Sequence, residues 1–84
     1  MAIERMRLAP HSALAGKRLA ATGLRSQTGA LVLSVVRGDE EVGTPGPQFR
    51  LAAGDVLVVV GQPHRLQAAT RLIAGNNAAL SQRG

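Results

Sequence analysis

The sequence has no cysteine and only one aromatic residue, Phe49. Without cysteine the chain can form neither a disulfide scaffold nor a thiolate metal site. No apolar run approaches the roughly 18 residues that a membrane-spanning helix requires, and the N-terminus lacks the apolar core of a signal peptide. Hydrophobic residues still make up 45% of the 84 residues. These features predict one small cytoplasmic domain with an aliphatic core.

The charge of the chain is basic but dispersed. Nine arginines and one lysine stand against five acidic residues, which gives a net charge of +5. The basic residues are spread along the chain, and the aromatic residues on which nucleic-acid bases would stack are missing. The pattern therefore predicts no nucleic-acid partner. A protein that binds nucleic acid or a membrane surface, with an affinity that falls as salt is added, is kept as one hypothesis for the function. Single arginines can also bind a smaller anion such as a phosphate.

The strongest structural signal is the run at residues 56–60, five consecutive apolar residues of which four are β-branched valines. Gly54 and Asp55 form a turn before it, and Gly61 ends it. Such uniform runs are typical of strands that are covered on both faces. Residues 30–36 form a second run of this kind.

The other segments complete a β-α-β-β-β-α order, which predicts a small α+β domain with its helices on one face of a sheet. The predicted elements are an edge strand at 3–8, a short helix at 13–21 capped by Ser12, strands at 30–36, 42–44 and 56–60, and a helix from Pro63 to Gly75. Because Gly16 disfavours a helix interior, a turn followed by one or two helical turns is the alternative for the first helix. Residues 1–75 are assigned to the domain and residues 76–84 to a polar C-terminal tail.

Counting the faces of this sheet predicts a homodimer. Two short helices can cover only one face of a four-stranded sheet, whereas the runs at 30–36 and 56–60 both look covered on two faces. A further apolar surface is therefore needed, and a second copy of the same chain is its simplest source.

Catalytic and metal-binding patterns are weak, so the chain is predicted not to be an enzyme and to have no metal site. Ser12 follows His11, but a helix cap explains this serine better than a nucleophile–base pair. His11 and His64 lie beside prolines and are better explained as surface residues than as metal ligands. The acidic turn at 39–41 could hold a divalent cation weakly, although a solvated hairpin tip is the simpler interpretation.

A string of motifs resembles a known family. Its parts are Ser-X-Leu-X-Gly-Lys from Ser12, an Arg-Gly turn at Arg37, a proline at Pro45 and Leu-X-X-Gly-Asp-X-Leu from Leu51. Over residues 3–74 the chain resembles the C-terminal ligand-binding domain of the regulator-of-potassium-conductance proteins, the TrkA-C (RCK_C) family. The resemblance implies a dimerising β-α-β-β-β-α domain in the cytoplasm, attached to or partnered with monovalent-cation channels, uptake systems or cation/proton antiporters.

The resemblance also implies a ligand site. Family members bind small regulators such as cyclic di-AMP at the dimer interface and thereby shift gating or transport. In the cyclic di-AMP binders, an arginine after the first helix and an asparagine at the head of the next strand belong to the pocket. These positions hold Arg25 and Leu31 here, so the polar contact of the asparagine is missing. Arg25, Leu31, Val32 and Arg37 are the candidate ligand-binding residues.

The resemblance leads to two other hypotheses about the function. The first hypothesis is a regulatory domain that senses a small anionic ligand such as cyclic di-AMP and lies at the inner face of the membrane through its transporter partner. The alternative is a structural dimerisation module of a transporter complex that binds no ligand. Arginines clustered at the dimer interface would favour the sensor, and a dry aliphatic interface would favour the structural module.

Overall fold

The computed structural model describes residues 1–78 and shows an antiparallel four-stranded sheet with a C-terminal α-helix. The strands lie in the order β1-β4-β2-β3. The elements are β1 (Ala2–Arg7), β2 (Leu31–Arg37), β3 (Glu40–Gly43), β4 (Val56–Gly61) and α1 (Pro63–Asn77). The predicted α+β class and the edge position of the first strand are confirmed, and β3 begins two residues earlier than predicted.

One face of the sheet, which we term the covered face, packs against α1. Leu57 and Val59 point to this face from β4 and are completely buried. Burial of such a side chain contributes roughly 1.5–3 kcal/mol relative to exposure, so these two residues are major contributors to stability. The strands and the helix form one aliphatic cluster here, which includes Met6, Val35, Leu57, Val59, Leu66, Ala69 and Ile73.

The opposite face of the sheet, which we term the open face, has no helix of residues 1–78 on it; Val58 at its middle is 9% exposed, whereas residues at one end of it are largely exposed. Ile3 and Leu31 both pair with Val60 in the antiparallel register, so all three side chains lie on this face. Ile3 is 60% exposed and Leu31 is 46% exposed. The register of β2 against β4 shifts by one residue at Leu33, which forms a β-bulge. Within one chain, β2 is therefore not covered on both faces.

A continuous helix at residues 13–21 does not form, and the alternative, a turn followed by one or two helical turns, describes the segment better. The chain forms turns there, and a single 3₁₀ turn occupies Leu19–Thr22. The backbone of this segment makes short turn bonds, such as that from the Ala15 N–H to the Ser12 carbonyl at 3.1 Å, and is also bonded to the loop before β4. The Gly16 N–H donates to the Leu51 carbonyl at 2.7 Å, and the Leu51 N–H donates to the Lys17 carbonyl at 2.9 Å. Since each backbone group serves one main partner, this pairing replaces the bonds of an α-helix.

Helix α1 continues through Gly75 to Asn77, two residues beyond its predicted end. The Asn77 side chain explains the extension. Its Oδ1 accepts a hydrogen bond from the Ala9 N–H at 2.9 Å, and its Nδ2 donates to the Arg7 carbonyl at 3.1 Å. These bonds hold the helix end against the chain that leaves β1. Residues 79–84 of the predicted tail lie outside the described residues, and no helix within residues 1–78 is long and apolar enough to cross a membrane.

An ion pair joins the end of β2 to the loop before β4. Arg37 Nε donates to Asp55 Oδ1 and Arg37 Nη2 donates to Asp55 Oδ2, both at 2.8 Å. Nη2 also donates to the Arg50 carbonyl at 3.0 Å, and the Ala52 N–H donates to Asp55 Oδ2 at 2.8 Å. Asp55 is completely buried, while the half-exposed Arg37 side chain lies 5.2 Å from the centre of the Phe49 ring. The two-pronged geometry makes this a strong and directional contact.

Asp55 is ionised in the native protein although it is buried. Burial by itself would raise the pKa of its carboxyl group. The hydrogen bonds from Arg37 and from the Ala52 N–H, together with the positive charge of Arg37, outweigh burial and hold the pKa of Asp55 below its ordinary value of 3.8. The hydrogen bonds to Asp55 in turn raise the pKa of Arg37.

Removing Arg37 should destabilise the fold, because it leaves the buried Asp55 carboxylate without its cation. For Arg37→Met we expect the free energy of unfolding to fall by about 1–3 kcal/mol, the lower part of the range for buried pairs because water screens the half-exposed arginine. Urea unfolding of Arg37→Met, Asp55→Asn and the double variant measures the coupling between the two residues. Arg71→Met, on the exposed side of α1, is the control. Equal stability of Arg37→Met and Arg71→Met would contradict this role.

The ion pair should also make stability depend on pH. The pKa of Asp55 is lower in the native than in the unfolded state, so the stability from its ionised form is complete above the unfolded-state pKa of about 3.9. That stability is lost as the pH falls through the native value. The difference in unfolding free energy between the wild type and Asp55→Asn should be constant at neutral pH and shrink below about pH 4. The measurement is urea unfolding of both proteins at a series of acidic pH values. A difference in unfolding free energy that stays constant over the whole series would disprove the role of the ionised Asp55.

Candidate ligand pocket

A cavity of about 600 Å³ lies at the edge of β2. β3 pairs with β2 only from Ser34 to Arg37, so the first residues of β2 have no strand beside them on this side. The cavity walls are mostly aliphatic, with one cationic and one hydroxyl side chain, which is the usual composition of a small-molecule pocket. The lining residues are Leu19, Ala20, Leu24, Arg25, Ser26, Ala30, Leu31, Val32, Pro45 and Pro47.

A single π turn, Leu24–Thr28, carries Arg25 and Ser26 to the pocket. Gly23 and Gly29 flank the turn with φ angles of 78° and 79°, in the left-handed region that favours glycine. The Gly29 N–H donates to the Arg25 carbonyl at 2.9 Å and closes the turn. The first residue of the turn is buried in the core, while Arg25 is exposed. The turn is therefore anchored on one side and offers its arginine on the other.

The opposite wall comes from the segment after β3. The Thr44 N–H donates to the Leu33 carbonyl at 2.8 Å, which is the last bond between this segment and β2. Pro45 and Pro47 follow, and proline has no N–H with which to continue a strand ladder. The segment therefore turns away from β2, and the gap that it leaves is the pocket.

The electrostatic character of the pocket rim is positive. Among residues 1–78, only Arg37 and Asp55 bring a basic nitrogen and a carboxylate oxygen within 4 Å of each other. The charge of Arg25 is therefore not neutralised by an acidic side chain of the described residues. Arg65 of α1 packs against the same π turn, since a Cβ atom at Gly29 would lie 3.1 Å from Arg65 Cδ. Two arginines beside one turn favour the approach of an anion.

Three of the four candidate ligand-binding residues meet in this pocket. Arg25, Leu31 and Val32 line it, although they come from two different elements. Arg37 does not line it, because its guanidinium group is held by Asp55.

Sequence reasoning missed the contributions of two loop segments to the pocket. The wall residues absent from the prediction are Leu19, Ala20, Leu24, Ser26, Ala30, Pro45 and Pro47. The closely spaced prolines were the available signal, since they show where strand pairing must stop beside a long apolar strand.

The other candidate sites show no catalytic or metal-binding geometry within residues 1–78. Ser12 caps no helix; its Oγ accepts a hydrogen bond from the Leu14 N–H at 3.1 Å in a local turn. His11 and His64 are exposed. The described residues contain no group of three or more histidine, cysteine, aspartate or glutamate side chains that could hold a metal ion.

A curated relative with this sequence pattern is known. Potassium channel protein 1 of Methanocaldococcus jannaschii is 32% identical over 62 residues, which cover 74% of this chain and 19% of that protein. The chain thus spans about a fifth of the length of this relative.

Solved structures show the same fold. The GsuK channel bound to NAD is 30% identical with a TM-score of 0.73, and the match covers 93% of this chain and 14% of that one. The RCK_C domain dimer of S. agalactiae BusR in complex with c-di-AMP is 23% identical with a TM-score of 0.70, covering 86% of this chain and 99% of that one. BusR in complex with its busAB-promotor DNA also matches, at 23% identity and a TM-score of 0.70, covering 88% of this chain and 38% of that one.

The family resemblance read from the motifs is confirmed over the whole folded region. The TrkA-C domain model matches residues 3–74, which include three whole strands, all of β1 except its first residue, and most of α1. The chain therefore belongs to the TrkA-C domain family.

Proposed function

We propose that this chain is a non-enzymatic cytoplasmic regulatory domain of a potassium channel or transporter, or of a cation/proton antiporter. It binds a small anionic nucleotide such as cyclic di-AMP as a homodimer and so controls monovalent-cation transport at the inner face of the membrane. The observation that carries this proposal is the 600 Å³ pocket, which joins aliphatic walls to Arg25. The similarity to Potassium channel protein 1 and to the GsuK channel supports the transport role.

The pocket suits the two chemical parts of a nucleotide. Its volume lies within the range of roughly 300–1,000 Å³ that small-molecule sites occupy. The aliphatic walls at Leu31 and Val32 offer a surface for a purine ring, and the exposed guanidinium of Arg25 offers paired donors for a phosphate. Arg65 adds positive charge beside the same turn.

Regulation follows if the ligand prefers one arrangement of the assembled protein. The pocket is open along the unpaired edge of β2, so a neighbouring copy can reach a ligand that is bound there. The ligand then favours the assembly in which both copies contact it, by no more than the difference in its affinity for the two arrangements. BusR, whose RCK_C domain binds c-di-AMP as a dimer, shows that the fold can support this mode of binding.

The alternative is a structural dimerisation module that holds transporter subunits together without a ligand. The predominance of aliphatic side chains in the pocket favours it, as does Leu31 at the position where cyclic di-AMP binders have an asparagine. The absence of a nucleic-acid partner stays a prediction, because the longer BusR chain binds DNA.

A nucleotide that binds the pocket should stabilise the native chain against heat. At a hundred times its dissociation constant, such a ligand contributes about 2.7 kcal/mol. We would record thermal unfolding against cyclic di-AMP, NAD and a panel of mononucleotides. A shift with one of them should disappear in Arg25→Ala and persist in the control Arg71→Ala. A flat panel from the folded chain would contradict the sensor and leave the structural module.

Replacing Leu31 by asparagine should strengthen binding of cyclic di-AMP. Leu31 lines the pocket and is nearly half exposed, so the substitution fits without loss of core packing. One added hydrogen bond is worth about 1 kcal/mol, or roughly a fivefold gain in affinity. Isothermal titration calorimetry of Leu31→Asn, with Leu31→Ala as the control, measures the change. An affinity no higher than that of Leu31→Ala would rule out a nucleotide contact at this position.

A further inference from the structure

The outer edge of β1 has unpaired backbone groups. Because β1 is the first strand in the order β1-β4-β2-β3, it has a neighbouring strand on one side only. The Leu8 N–H donates to the carbonyl of Asp55, its partner in the continued register, at 2.8 Å, and this bond fixes the alternation of the ladder. Every second residue of β1 therefore directs its N–H and C=O groups to β4, whereas Ile3, Arg5 and Arg7 direct theirs outward.

The end of α1 limits the open part of this edge. The Asn77 Nδ2 donates to the outward carbonyl of Arg7 at 3.1 Å. Within residues 1–78, no hydrogen bond reaches the outward backbone groups of Ile3 and Arg5. A strand edge of this kind is a template on which an extended peptide can add as a further strand.

A groove of about 190 Å³ runs along the same edge, between β1 and α1. Met6 of β1 lines it and is buried. One side of α1 forms the opposite wall, with residues at intervals of three and four: Thr70, Ile73, Ala74 and Asn77. When a peptide adds to a sheet edge, its main-chain bonds give affinity and pockets such as this groove select its alternate side chains.

The charges at this edge alternate between the two faces of the strand. Arg5 and Arg7 flank the buried Met6, so they point to the open face, and both are exposed. Within residues 1–78, neither arginine has an acidic oxygen within 4 Å. Glu4 points to the other face, where its Oε2 lies 3.5 Å from the Thr70 hydroxyl of the groove. An added strand therefore meets two positive charges on one face and one negative charge on the other.

These charges disfavour two occupants that the chain itself could supply. If β1 of a second copy paired with this edge in antiparallel orientation and was centred on Met6, arginines of the two copies would lie opposite each other and repel. Residues 79–84, Ala-Leu-Ser-Gln-Arg-Gly, add another arginine and contain no acidic residue. The edge is complementary instead to an acidic segment of a different protein.

We propose that the outer edge of β1 binds an extended acidic segment of a partner protein as a fifth strand. In antiparallel orientation, acidic residues of this segment lie opposite Arg5 and Arg7. The apolar residue between them lies opposite Met6 and enters the groove beside α1. A basic residue is favoured opposite Glu4 and an apolar residue opposite Ile3. From its N-terminus, the recognised segment thus reads acidic, apolar, acidic, basic, apolar.

Two synthetic peptides test this charge pattern. The probe is Glu-Val-Glu-Lys-Val with a threonine and a blocking group at each end and a fluorescent label, and the control Lys-Val-Lys-Glu-Val reverses every charge. In fluorescence polarisation at low salt, the probe should bind roughly tenfold more tightly than the control, because three cross-strand charge pairs change from attractive to repulsive.

Matched variants of the chain place the peptide on this edge. In the double variant Arg5→Glu and Arg7→Glu the preference should reverse, because two of the three charge pairs then favour the control peptide. Arg18→Glu changes the same kind of charge at an exposed position whose backbone pairs with Arg50, in the loops outside β1. It should leave the preference unchanged. Circular dichroism verifies that each variant folds.

Methylation of the peptide backbone separates strand addition from attraction between charges. In the probe, the N–H of the second glutamate points to β1, whereas the N–H of the lysine points away from it. N-methylation of this glutamate should abolish binding, and N-methylation of the lysine should leave binding unchanged. The two methylated peptides carry the same charge, so a difference between them reports on the main-chain bonds.

Three results would overturn the inference. If the two methylated peptides bind as tightly as the probe, charge alone attracts it and no strand is added. If the probe binds no better than its charge-reversed control, the edge does not recognise an acidic segment. If a peptide of residues 79–84 binds as tightly as the probe, the edge belongs to the C-terminus of the chain. The groove shares no residue with the ligand pocket, so nucleotide-induced thermal shifts test the proposed function separately.

Discussion

Burial of Leu57 and Val59 is the constraint on which the rest of the domain depends. Both side chains are completely buried, and this requires β1 and β2 at the two sides of β4 and α1 above it. Residues 1–78 provide one long helix and a set of loops for this task, and they are used on a single face. The apolar side chains on the other face follow from the same strand, since uniform valine runs place methyl groups on both sides. A domain built in this way covers its own core on one face and keeps apolar side chains such as Ile3 and Leu31 exposed on the other.

The loops on the covered face are held by polar contacts because the core is too small to hold them alone. The buried carboxylate of Asp55 receives bonds from Arg37 and from the backbone N–H of Ala52. Asn77 performs a similar role for the chain that leaves β1. In both cases one side chain bonds to segments that are distant in sequence, so the loops gain a defined position without adding apolar volume.

The sequence allowed the strands to be predicted well and the first helix poorly, and the reason is physical. A strand such as β4 is specified by its own apolar residues. The segment at 13–21 has the serine and the leucines of a short helix, but its backbone pairs with residues around Leu51, and local propensity contains no information on such a partner. The end of α1 was misplaced for the same reason, because the contacts of Asn77 outweigh the preference of Gly75 to end a helix.

The candidate site was predictable only in part. Arg25, Leu31 and Val32 followed from the family resemblance, and the structure brings them together. The resemblance gave no indication that Pro45 and Pro47 line the pocket, because their position depends on where β3 ends. Arg37 was misleading for a different reason: its sequence neighbours give no sign that a buried carboxylate 18 residues later would hold its guanidinium group.

The bulge at Leu33 shifts the alternation of side chains along β2 by one residue, so the alternation before the bulge is out of step with that after it. Counted back from Val36 with a strict period of two, Val32 would point to the open face and Leu31 to the core. The extra residue reverses this, so Leu31 joins Ile3 while Val32 packs against the core cluster. The half of the strand beside β3 and the half beside the pocket are therefore uncoupled. A substitution at Leu31 or Val32 therefore changes the pocket wall without altering the residues of β2 that pair with β3.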